Sequence, residues 1–523
     1  RAACAALAAL LAAAYGTTML PGVADEDAAD MQYMSALLGV CHPPGYPIQV
    51  FVGHLFSRLP IGPSLAWRVN VMVALCGVAG GLALYGAVRR ITGRILPGLV
   101  AATTLCFSSI YWMHALSPEV YVFYGMFLLT GVYCAARFVQ SDRSLWLYLA
   151  ALALGACVGN RPSEVFVLPA FVGLWLGFRR RVRLSLGRLA AAGGLAVLPF
   201  GLSLGYYVAR QNPALLHARD DALRDEILGE EPPFTSLSSG QKLRHAFTYL
   251  AGLKWVGEAE FGPLDLRWQL DKYAWMLSGL GGLRDRYAPD DRPNALRRMQ
   301  QGRGSSISAL GLVLAVLGAA FHRRQYGWML LGLGLFAGNT AFYLYHHPPD
   351  SLEFTLPGLA GLALLAGLGA AGRPGAGWSN GRGGLTLALV ALLAPVYLLA
   401  TNYTKLDRST PAEVQRQQRL TRQAAAPLPQ GAVILARFPR AMTLRYLYHV
   451  QAGRPDVVVV INRYRFTREQ LGGVPKEVAL QRRLMARGCP LFILVEERPQ
   501  PPPAVGQKTP PALAELGFRQ LGP

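Results

Sequence analysis

Eleven apolar stretches constrain this sequence more than any other feature, because most are long enough to cross a bilayer. They lie near residues 2–20, 66–87, 95–113, 118–137, 145–160, 164–178, 188–208, 306–322, 326–345, 354–372 and 384–401. A helix that spans the hydrocarbon core needs roughly 17–25 predominantly apolar residues. The sequence therefore predicts a mainly α, polytopic membrane bundle of about 11 spans.

The composition agrees with a membrane protein. Of the 523 residues 52% are hydrophobic and only 15% charged, whereas a soluble protein has about a quarter charged residues. The net charge of +21 also raises the idea of a nucleic-acid partner, but much of the excess arginine lies in short loops, where it orients membrane helices. We therefore predict no nucleic-acid partner. We also expect the first apolar run to be a retained helix and not a cleaved signal peptide.

Basic residues occur in alternate loops, which predicts the orientation of the chain. The basic loops hold Arg89, Arg90, Arg94, Arg137, Arg143, Arg179, Arg180, Arg181, Arg183, Arg323, Arg324, Arg373 and Arg382. The positive-inside rule puts these loops in the cytoplasm. The other loops would then lie on the outer face of the cytoplasmic membrane. They hold Asp25, Glu26, Asp27, Asp30, His42, Glu119, Asn160, Arg161, Asp350 and Glu353. This sidedness predicts one active site at the outer rim of the membrane.

The acidic stretch between the first two apolar runs is the strongest candidate for chemistry. Asp27 and Asp30 would share one face if the segment is helical. A carboxylate that is partly desolvated beside a bilayer is a stronger base, so one acid could remove a proton while the other orients it. The alternative is structural: Asp27 caps a helix that begins near Ala28.

Two further segments flank the spans. Residues 48–58 have helical apolar spacing, which predicts a short helix in the membrane interface with Phe51 and Leu55 facing lipid. An ordinary helix packed on the bundle explains the pattern equally well. Residues 209–305 form a predicted outer insertion with helical stretches at Gln241–Leu253 and Leu266–Leu280.

The character of the chain changes after residue 401. The short apolar runs Val433–Ala436, Val457–Ile461 and Leu491–Val495 are typical of buried parallel strands. Helical segments are predicted over 405–430 and near 440–451 and 474–487. We predict a membrane domain over 1–401, including the insertion, and an extracytoplasmic α/β domain over 402–523 with a Pro-rich tail. The predicted α/β domain lacks the glycine-rich phosphate motifs GxGxxG and GxxxxGK(S/T), and the sequence has no CxxC pair, so we predict no cofactor and no metal site.

The first outer loop resembles that of a known family. Asp27-Ala28-Ala29-Asp30 followed by His42-Pro43-Pro44-Gly45 is similar to the Asp-Ser-Gly-Glu and His-Pro-Pro-Gly motifs of a bacterial membrane family. That family is itself similar to protein O-mannosyltransferases of the GT-C superfamily. Further matches are Trp67-Arg68-Val69-Asn70, Glu119-Val120-Tyr121, Gly159-Asn160, Gln211-Asn212-Pro213, Leu356-Pro357 and Gly453-Arg454-Pro455-Asp456-Val457.

The resemblance implies roles for individual residues. Asp27 matches the leading aspartate, the presumed base, and Asp30 stands where the family usually has Glu. Ala28 and Ala29 replace Ser and Gly. The family is thought to work without metal. Asn160 is followed by Arg161, where the family more often has His, and the charge of Arg161 makes it a candidate phosphate ligand.

The remaining candidates each have a structural alternative. His42 could bind substrate or only shape a turn, and Arg68 could bind phosphate or extend along the membrane. Glu119 is a second acidic candidate or a helix N-terminal charge. Asp350 could bind substrate, and the adjacent histidines before it are poorly placed to share a metal.

We therefore predict an inverting GT-C glycosyltransferase that uses a polyprenyl-phosphate sugar and a protein, lipid or glycan acceptor. Its catalytic residues would be Asp27, Asp30 and Glu119, and its substrate-binding residues His42, Arg68, Asn160, Arg161 and Asp350. The alternatives are a lipid or polysaccharide transporter and a non-catalytic scaffold. Loss of sugar transfer in a folded Asp27→Asn variant would favour the enzyme over both.

Overall fold

The computed structural model is mainly α-helical with one small sheet near the carboxy terminus. The structure describes residues 1–228, 232, 234–253, 277, 306–322, 325–345, 351–373, 382–462, 480, 483–494, 510–516 and 518–521. Each of the eleven predicted apolar windows is occupied by helix. The chain divides into two compact units, and each is described by itself.

Unit 1 comprises residues 1–19, 70–203 and 250–408. Its helices are Ala2–Thr18, Leu65–Thr92 (from Asn70 onward), Ile95–Cys106, Ser109–His114, Val120–Ser141, Ser144–Asn160, Pro162–Val167, Leu168–Phe178, Leu186–Arg210 (to Ser203), Ala309–Phe321, Tyr326–Tyr345, Ser351–Thr355, Leu356–Ala371, Arg382–Ala391 and Leu393–Leu406. The helix Leu356–Ala371 is its core, because every one of its residues is buried.

Small residues let the helices of unit 1 approach closely. A Cβ at Gly369 would lie 2.0 Å from the carbonyl oxygen of Leu314, and one at Gly318 would lie 1.9 Å from that of Leu365. The helices Ala309–Phe321 and Leu356–Ala371 therefore meet backbone to backbone. Such contacts are typical of helix pairs in membranes, where dispersion packing replaces the hydrophobic effect.

The helices identify a multi-pass membrane protein. Five described segments are long and apolar enough to cross a bilayer: Leu65–Thr92, Val120–Ser141, Leu186–Arg210, Glu353–Ala371 and Gly383–Ala424. Five shorter apolar helices accompany them: Ala2–Thr18, Ile95–Cys106, Ser144–Asn160, Pro162–Phe178 and Ala309–Phe321.

Unit 2 comprises residues 20–69, 204–249 and 409–523. Its helices are Glu26–Leu37, Pro47–Ser57, Leu65–Thr92 (to Val69), Leu186–Arg210 (from Leu204), Leu216–Leu228, Phe234–Ser236, Ser239–Leu250 (to Tyr249), Pro411–Ala424, Phe438–Arg445, Tyr446–Gln451 and Pro511–Ala514. Its strands are β1 (Val433–Arg437), β2 (Val458–Asn462), β3 (Leu491–Leu494) and β4 (Phe518–Leu521). The strand order is β2-β1-β3-β4.

The sheet confirms the three predicted parallel strands. β1 lies parallel to β2, with Val433 opposite Val458, and parallel to β3, with Val433 opposite Leu491. The fourth strand was not predicted, because its short sequence lacks a continuous apolar run; it pairs antiparallel with β3. The predicted fold class, a helical membrane bundle with a small α/β part, is confirmed.

A buried ionic network holds the sheet of unit 2. The guanidinium of Arg445 donates to both carboxylate oxygens of Asp221, at 3.0 and 2.9 Å, and to the carbonyl of Val459 in β2. Asp220 accepts the backbone N–H of Val459 at 2.8 Å. Arg445 and Asp220 are almost fully buried. Loss of one partner would leave a buried charge without compensation, which costs several kcal/mol.

Other predictions on secondary structure have mixed outcomes. The helix expected over 48–58 is found at Pro47–Ser57, and Phe51 and Leu55 are 51% and 53% exposed; contact with lipid stays a prediction. The first insertion helix is found at Ser239–Leu250, and Leu266–Leu280 lies outside the described residues. The domain boundary at 401 and 402 also stays a prediction.

Candidate active site

The first candidate residues lie on the helix Glu26–Leu37, here called the acidic helix. It begins one residue before Asp27, so Asp27 belongs to its first turn and does not precede it as a cap. Asp25 is the N-cap residue and makes no side-chain cap bond. Asp30 lies one turn further on the same face. The side chain of Asp30 is 1% exposed and that of Asp27 52% exposed.

The imidazole of His42 joins these two acids. Its Nδ1 lies 2.8 Å from Oδ2 of Asp30, and its backbone N–H donates to the same oxygen at 2.9 Å. Its Nε2 lies 3.5 Å from Oδ2 of Asp27. His42 also opens the tight turn that the sequence predicted, because Gly45 donates its N–H to the carbonyl of His42 at 2.7 Å. The turn therefore delivers the ring to the acids.

Both ends of the acidic helix are held by side chains of unit 2. Before its start, the amide of Gln32 accepts the N–H of Ala24 at 2.9 Å and donates to the carbonyl of Gly22 at 3.1 Å. Past its end, Arg210 donates to the carbonyls of Leu37 and Leu38. A basic group at the last carbonyls stabilises a helix end. These bonds fix the position of Asp27 and Asp30.

A hydrogen-bond chain ties the middle of the acidic helix to residues near the sheet. The Tyr33 hydroxyl lies 2.8 Å from Nδ1 of His449, and Nε2 of His449 lies 2.8 Å from the carbonyl of Val457. A carbonyl only accepts, so Nε2 carries the proton and Nδ1 accepts from Tyr33. Burial lowers the pKa of His449, which keeps this ring neutral.

The contacts of Asp25 are those of a residue with a structural role. Its carboxylate pairs with Arg416 at 2.8 Å and Arg440 at 3.4 Å, and the Thr443 hydroxyl lies 3.1 Å away. Arg68 also makes structural contacts, since its guanidinium donates to the carbonyls of Ser57 and Ile61 at 2.6 and 2.8 Å. Those bonds hold the chain that follows Pro47–Ser57.

A second cluster of polar side chains lies in unit 1, around His114. Its Nδ1 is 3.1 Å from Oε2 of Glu119, and its Nε2 is 4.0 Å from Oε1 of Glu353. His114 and Glu353 are 2% and 6% exposed at their side chains, and Glu119 is 31% exposed. His114 was not predicted as a site residue, because it lies at the end of an apolar window without a motif.

Arg161 lies in an aromatic cage within the same unit. Its guanidinium carbon is 4.7 Å from the ring centroid of Tyr121, 5.6 Å from that of Tyr124 and 4.2 Å from that of Phe354. Such contacts stabilise a cation by about 0.5–2 kcal/mol. Nε of Arg161 also lies 3.6 Å from Glu164. Apart from the Glu-Val-Tyr match, no sequence pattern predicted this cage.

Tyr121 connects this cage with the His114 cluster. Its ring is 4.4 Å from that of His114 and 6.2 Å from that of Phe354. Asn160 precedes Arg161 and is fully buried, and among the described residues neither atom of its amide has a hydrogen-bond partner. A buried amide without partners is costly, so this one calls for a polar ligand or water.

The predicted site residues thus form two groups. Asp27, Asp30 and His42 meet in unit 2, and Glu119, Asn160 and Arg161 lie in unit 1. Arg68 is in unit 2, where it contacts backbone carbonyls. Asp350 lies outside the described residues. Because no finding tests their chemistry, all of these roles stay predictions.

The fold and the site define a multi-pass membrane protein with acid-histidine clusters. Residues 27–184 match the family described as the protein O-mannosyl-transferase TMEM260 N-terminal domain. The predicted resemblance to O-mannosyltransferases is confirmed over this stretch. The matched stretch begins at Asp27 and contains every predicted site residue except Asp350.

Two relatives match over part of their length. Protein O-mannosyl-transferase tmem260 of Dictyostelium discoideum is 29% identical over 179 residues, which are 31% of this chain and 22% of the relative. Protein O-mannosyl-transferase TMEM260 of Mus musculus is 28% identical over 216 residues, 39% of this chain and 30% of the relative. The match thus spans less than a third of either relative.

Two solved structures are similar to the chain. One is the Archaeoglobus fulgidus oligosaccharyltransferase tethered to an acceptor peptide, with 10% identity, a TM-score of 0.49, and coverage of 94% of this chain and 68% of that one. The other is ArnT from Cupriavidus metallidurans bound to undecaprenyl phosphate, with 13% identity, a TM-score of 0.46, and coverage of 94% and 92%.

Proposed function

We propose that this chain is an inverting glycosyltransferase of the GT-C type. It moves a sugar from a polyprenyl-phosphate donor to an acceptor hydroxyl on the outer face of the cytoplasmic membrane. The names of the two relatives, both protein O-mannosyl-transferases, favour mannose as the sugar and a protein hydroxyl as the acceptor. The arginine pattern of the loops favours the outer face.

The observation that carries this proposal is the half-exposed carboxylate of Asp27, backed by His42 and the buried Asp30. A base must reach a substrate from solvent and must also be held in place. Asp27 meets the first condition by its exposure and the second by its place in a fixed helix. It is also the first residue of the matched family domain.

The reaction follows from these groups. Asp27 takes the proton of the acceptor hydroxyl while the oxygen attacks the anomeric carbon. The bond between that carbon and the phosphate oxygen breaks, and the lipid phosphate leaves with the bonding electrons. A single displacement inverts the configuration at carbon. General-base assistance of this kind contributes about 10²–10⁴-fold to the rate.

Other predicted residues receive supporting roles. Asp30 orients His42, and Glu119 is a second acidic group that orients His114 beside Tyr121. Arg161 supplies positive charge for the carrier phosphate, and the amide of Asn160 supplies a hydrogen-bond donor. Arg68 holds the loop after Pro47–Ser57 through its bonds to the carbonyls of Ser57 and Ile61. Asp350 is proposed to contact the acceptor.

Sugar transfer by the purified protein tests the proposal. Detergent-solubilised protein would be incubated with synthetic polyprenyl-phosphate mannose and a hydroxyl-rich peptide, and the glycopeptide measured by mass spectrometry. We expect product with the wild type and about 1,000-fold slower transfer with Asp27→Asn. The matched control is Glu26→Gln, which changes the exposed carboxylate directly before Asp27 and should still give product.

Two outcomes would reject the proposal. Equal sugar transfer by the folded Asp27→Asn variant and the wild type would show that Asp27 is not the base. Movement of labelled carrier lipid across vesicles without product, unchanged in Asp27→Asn, would make the chain a transporter.

A further inference from the structure

We infer that His42, oriented by Asp30, receives the proton that Asp27 removes from the acceptor. The inference rests on the proposed function and deepens it. It makes His42 a positioning and proton-relay residue behind the base, a role different from the substrate-binding one that the sequence predicted. The relay consists of a carboxylate, an imidazole and a second, buried carboxylate.

The hydrogen bonds of Asp30 determine which ring nitrogen of His42 carries the proton. Oδ2 of Asp30 lies 2.8 Å from Nδ1 and 2.9 Å from the backbone N–H of His42. An ionised carboxylate has only acceptors, so Nδ1 must donate. In the neutral ring Nε2 then presents a lone pair, and this lone pair faces Asp27.

The gap between His42 and Asp27 therefore favours one shared proton. Oδ2 of Asp27 and Nε2 of His42 lie 3.5 Å apart, and both are acceptors while the ring is neutral and the acid ionised. A proton in the gap turns this repulsion into a hydrogen bond. The same arrangement that strengthens Asp27 as a base gives its proton a place to go.

The proton balance of the step is complete. The acceptor O–H bond breaks, an O–H bond forms on Asp27, and the proton then moves to Nε2 of His42. The resulting imidazolium is stabilised by the ionised carboxylate of Asp30 at Nδ1, in the manner of an acid–histidine pair in hydrolases. Asp27 is again ionised for the next acceptor, and solvent removes the proton from the ring.

Two aromatic side chains hold the ring in place. Tyr46 and Phe438 pack edge-on against the ring of His42, with centroids 5.3 and 5.7 Å away. Burial raises the pKa of the neighbouring Cys41 thiol and of Tyr249, whose hydroxyl donates to the Cys41 carbonyl. Both therefore stay neutral over the working range of pH.

Two arginines contribute positive charge near the start of the acidic helix. Arg416 and Arg440, from the helices Pro411–Ala424 and Phe438–Arg445, pair with Asp25. Their charge is thus matched by a carboxylate that the relay does not use. The proton released in the step passes from Asp27 to His42, and Asp30 stays ionised.

The decisive variant is His42→Asn. An asparagine amide reaches the position of Nδ1 and keeps the bond to Asp30, but it cannot take a proton. We expect normal thermal unfolding, an unchanged KM for donor, and a kcat reduced about 100-fold. The acidic limb of the pH profile of kcat should change in this variant. If His42 only shaped the turn, His42→Asn would transfer sugar within a few-fold of the wild type.

A double-mutant cycle adds a second test. Asp30→Asn removes the negative charge that stabilises the imidazolium of His42, so it should lower kcat about as much as His42→Asn. In one relay the double variant should be no worse than either single variant. Independent, additive losses would overturn the inference.

The failure of the relay and that of the proposed function are distinguishable. If wild type transfers sugar and His42→Asn does too, the relay fails and the function stands. If folded wild type transfers nothing, the function fails, and nitrogen NMR of histidine-labelled protein decides on the relay. We expect the Nδ1–H tautomer of His42 and a shifted titration in Asp27→Asn; the Nε2–H tautomer would overturn the inference.

Discussion

Two parts of the molecule place a histidine between two carboxylates, and they differ in how open they are. In unit 2, His42 lies between the half-exposed Asp27 and the buried Asp30. In unit 1, His114 is almost fully buried, between Glu119 and Glu353, at 3.1 and 4.0 Å. The side chain of Asp27 is 52% exposed and that of Glu119 is 31% exposed, so we call the cluster around His42 the open cluster and that around His114 the closed cluster.

This difference in exposure indicates that the two clusters have different roles. A proton is exchanged with an acceptor most readily by the more exposed carboxylate, which is Asp27. The ring of His114 instead packs on Tyr121, which also lies under the guanidinium of Arg161. That cluster is suited to fix charge and not to move protons. We therefore expect its variants to affect binding and stability more than the chemical step.

The largest expected effect separates the two clusters directly. Asp27→Asn should lower kcat about 1,000-fold because it removes the base. Glu119→Gln should lower it only about tenfold, because the amide keeps the size of the side chain beside His114. Both would be measured by peptide glycosylation under saturating donor. Equal losses would show that the open and the closed cluster share the chemistry.

The next effect concerns the stability of unit 2 in acid. Burial lowers the pKa of His217 from 6.5 to about 4. Between these two values the folded state therefore binds fewer protons than the unfolded state. The contribution of His217 to the free energy of unfolding is fully present above pH 6.5 and is lost as the pH falls to about 4. The loss amounts to about 3 kcal/mol. Thermal unfolding from pH 7 to 4 should show this slope, and His217→Gln should flatten it.

The His217→Gln variant also separates the pH dependence of activity from that of folding. An acidic limb of kcat that persists in His217→Gln belongs to the chemistry of the open cluster. An unchanged stability slope in His217→Gln would contradict the assignment to this histidine.

A smaller effect is expected in the closed cluster. Arg161→Lys keeps the charge but loses the planar group that stacks on Tyr121 and Phe354. The loss of about 1 kcal/mol should raise the KM for donor severalfold and leave kcat unchanged. A fall in kcat alone would give Arg161 a role in the transition state.

The smallest effect provides a baseline for unit 2. Arg454 bonds to Asp456 at 2.7 Å and lowers its pKa to about 2, but the pair is partly exposed. Asp456→Asn should therefore cost less than about 1 kcal/mol. The contribution is present above pH 4 and is lost as the pH falls toward 2. Thermal unfolding of Asp456→Asn and wild type at pH 7 would measure this cost, and a loss of several kcal/mol would contradict the prediction.

The sequence was most informative where the signal is local. Apolar length predicted the helices, and continuous apolar runs predicted three strands, since both depend on neighbours in the chain. The spacing of Asp27 and Asp30 also predicted their common face. The contact of His42 with both acids was not predictable, because it depends on a turn that returns the chain after twelve residues from Asp30.

The residues around His114 were missed for a related reason. Glu353 approaches the ring from more than two hundred residues away along the chain, and the alternation of apolar and polar residues gives no sign of such a pair. The ring cage of Arg161 depends likewise on Phe354. Long-range contacts between helices are set by packing that one sequence does not reveal.

The bond between Tyr33 and His449 has a practical consequence for anyone who wishes to dissect the protein. The carboxy-terminal segment supplies His449 as well as the arginines that pair with Asp25. A chain without this segment would therefore lose the side chains that anchor the acidic helix and its N-cap residue. Loss of activity after such a truncation would then say nothing about acceptor recognition. Point variants at the anchors are the informative route.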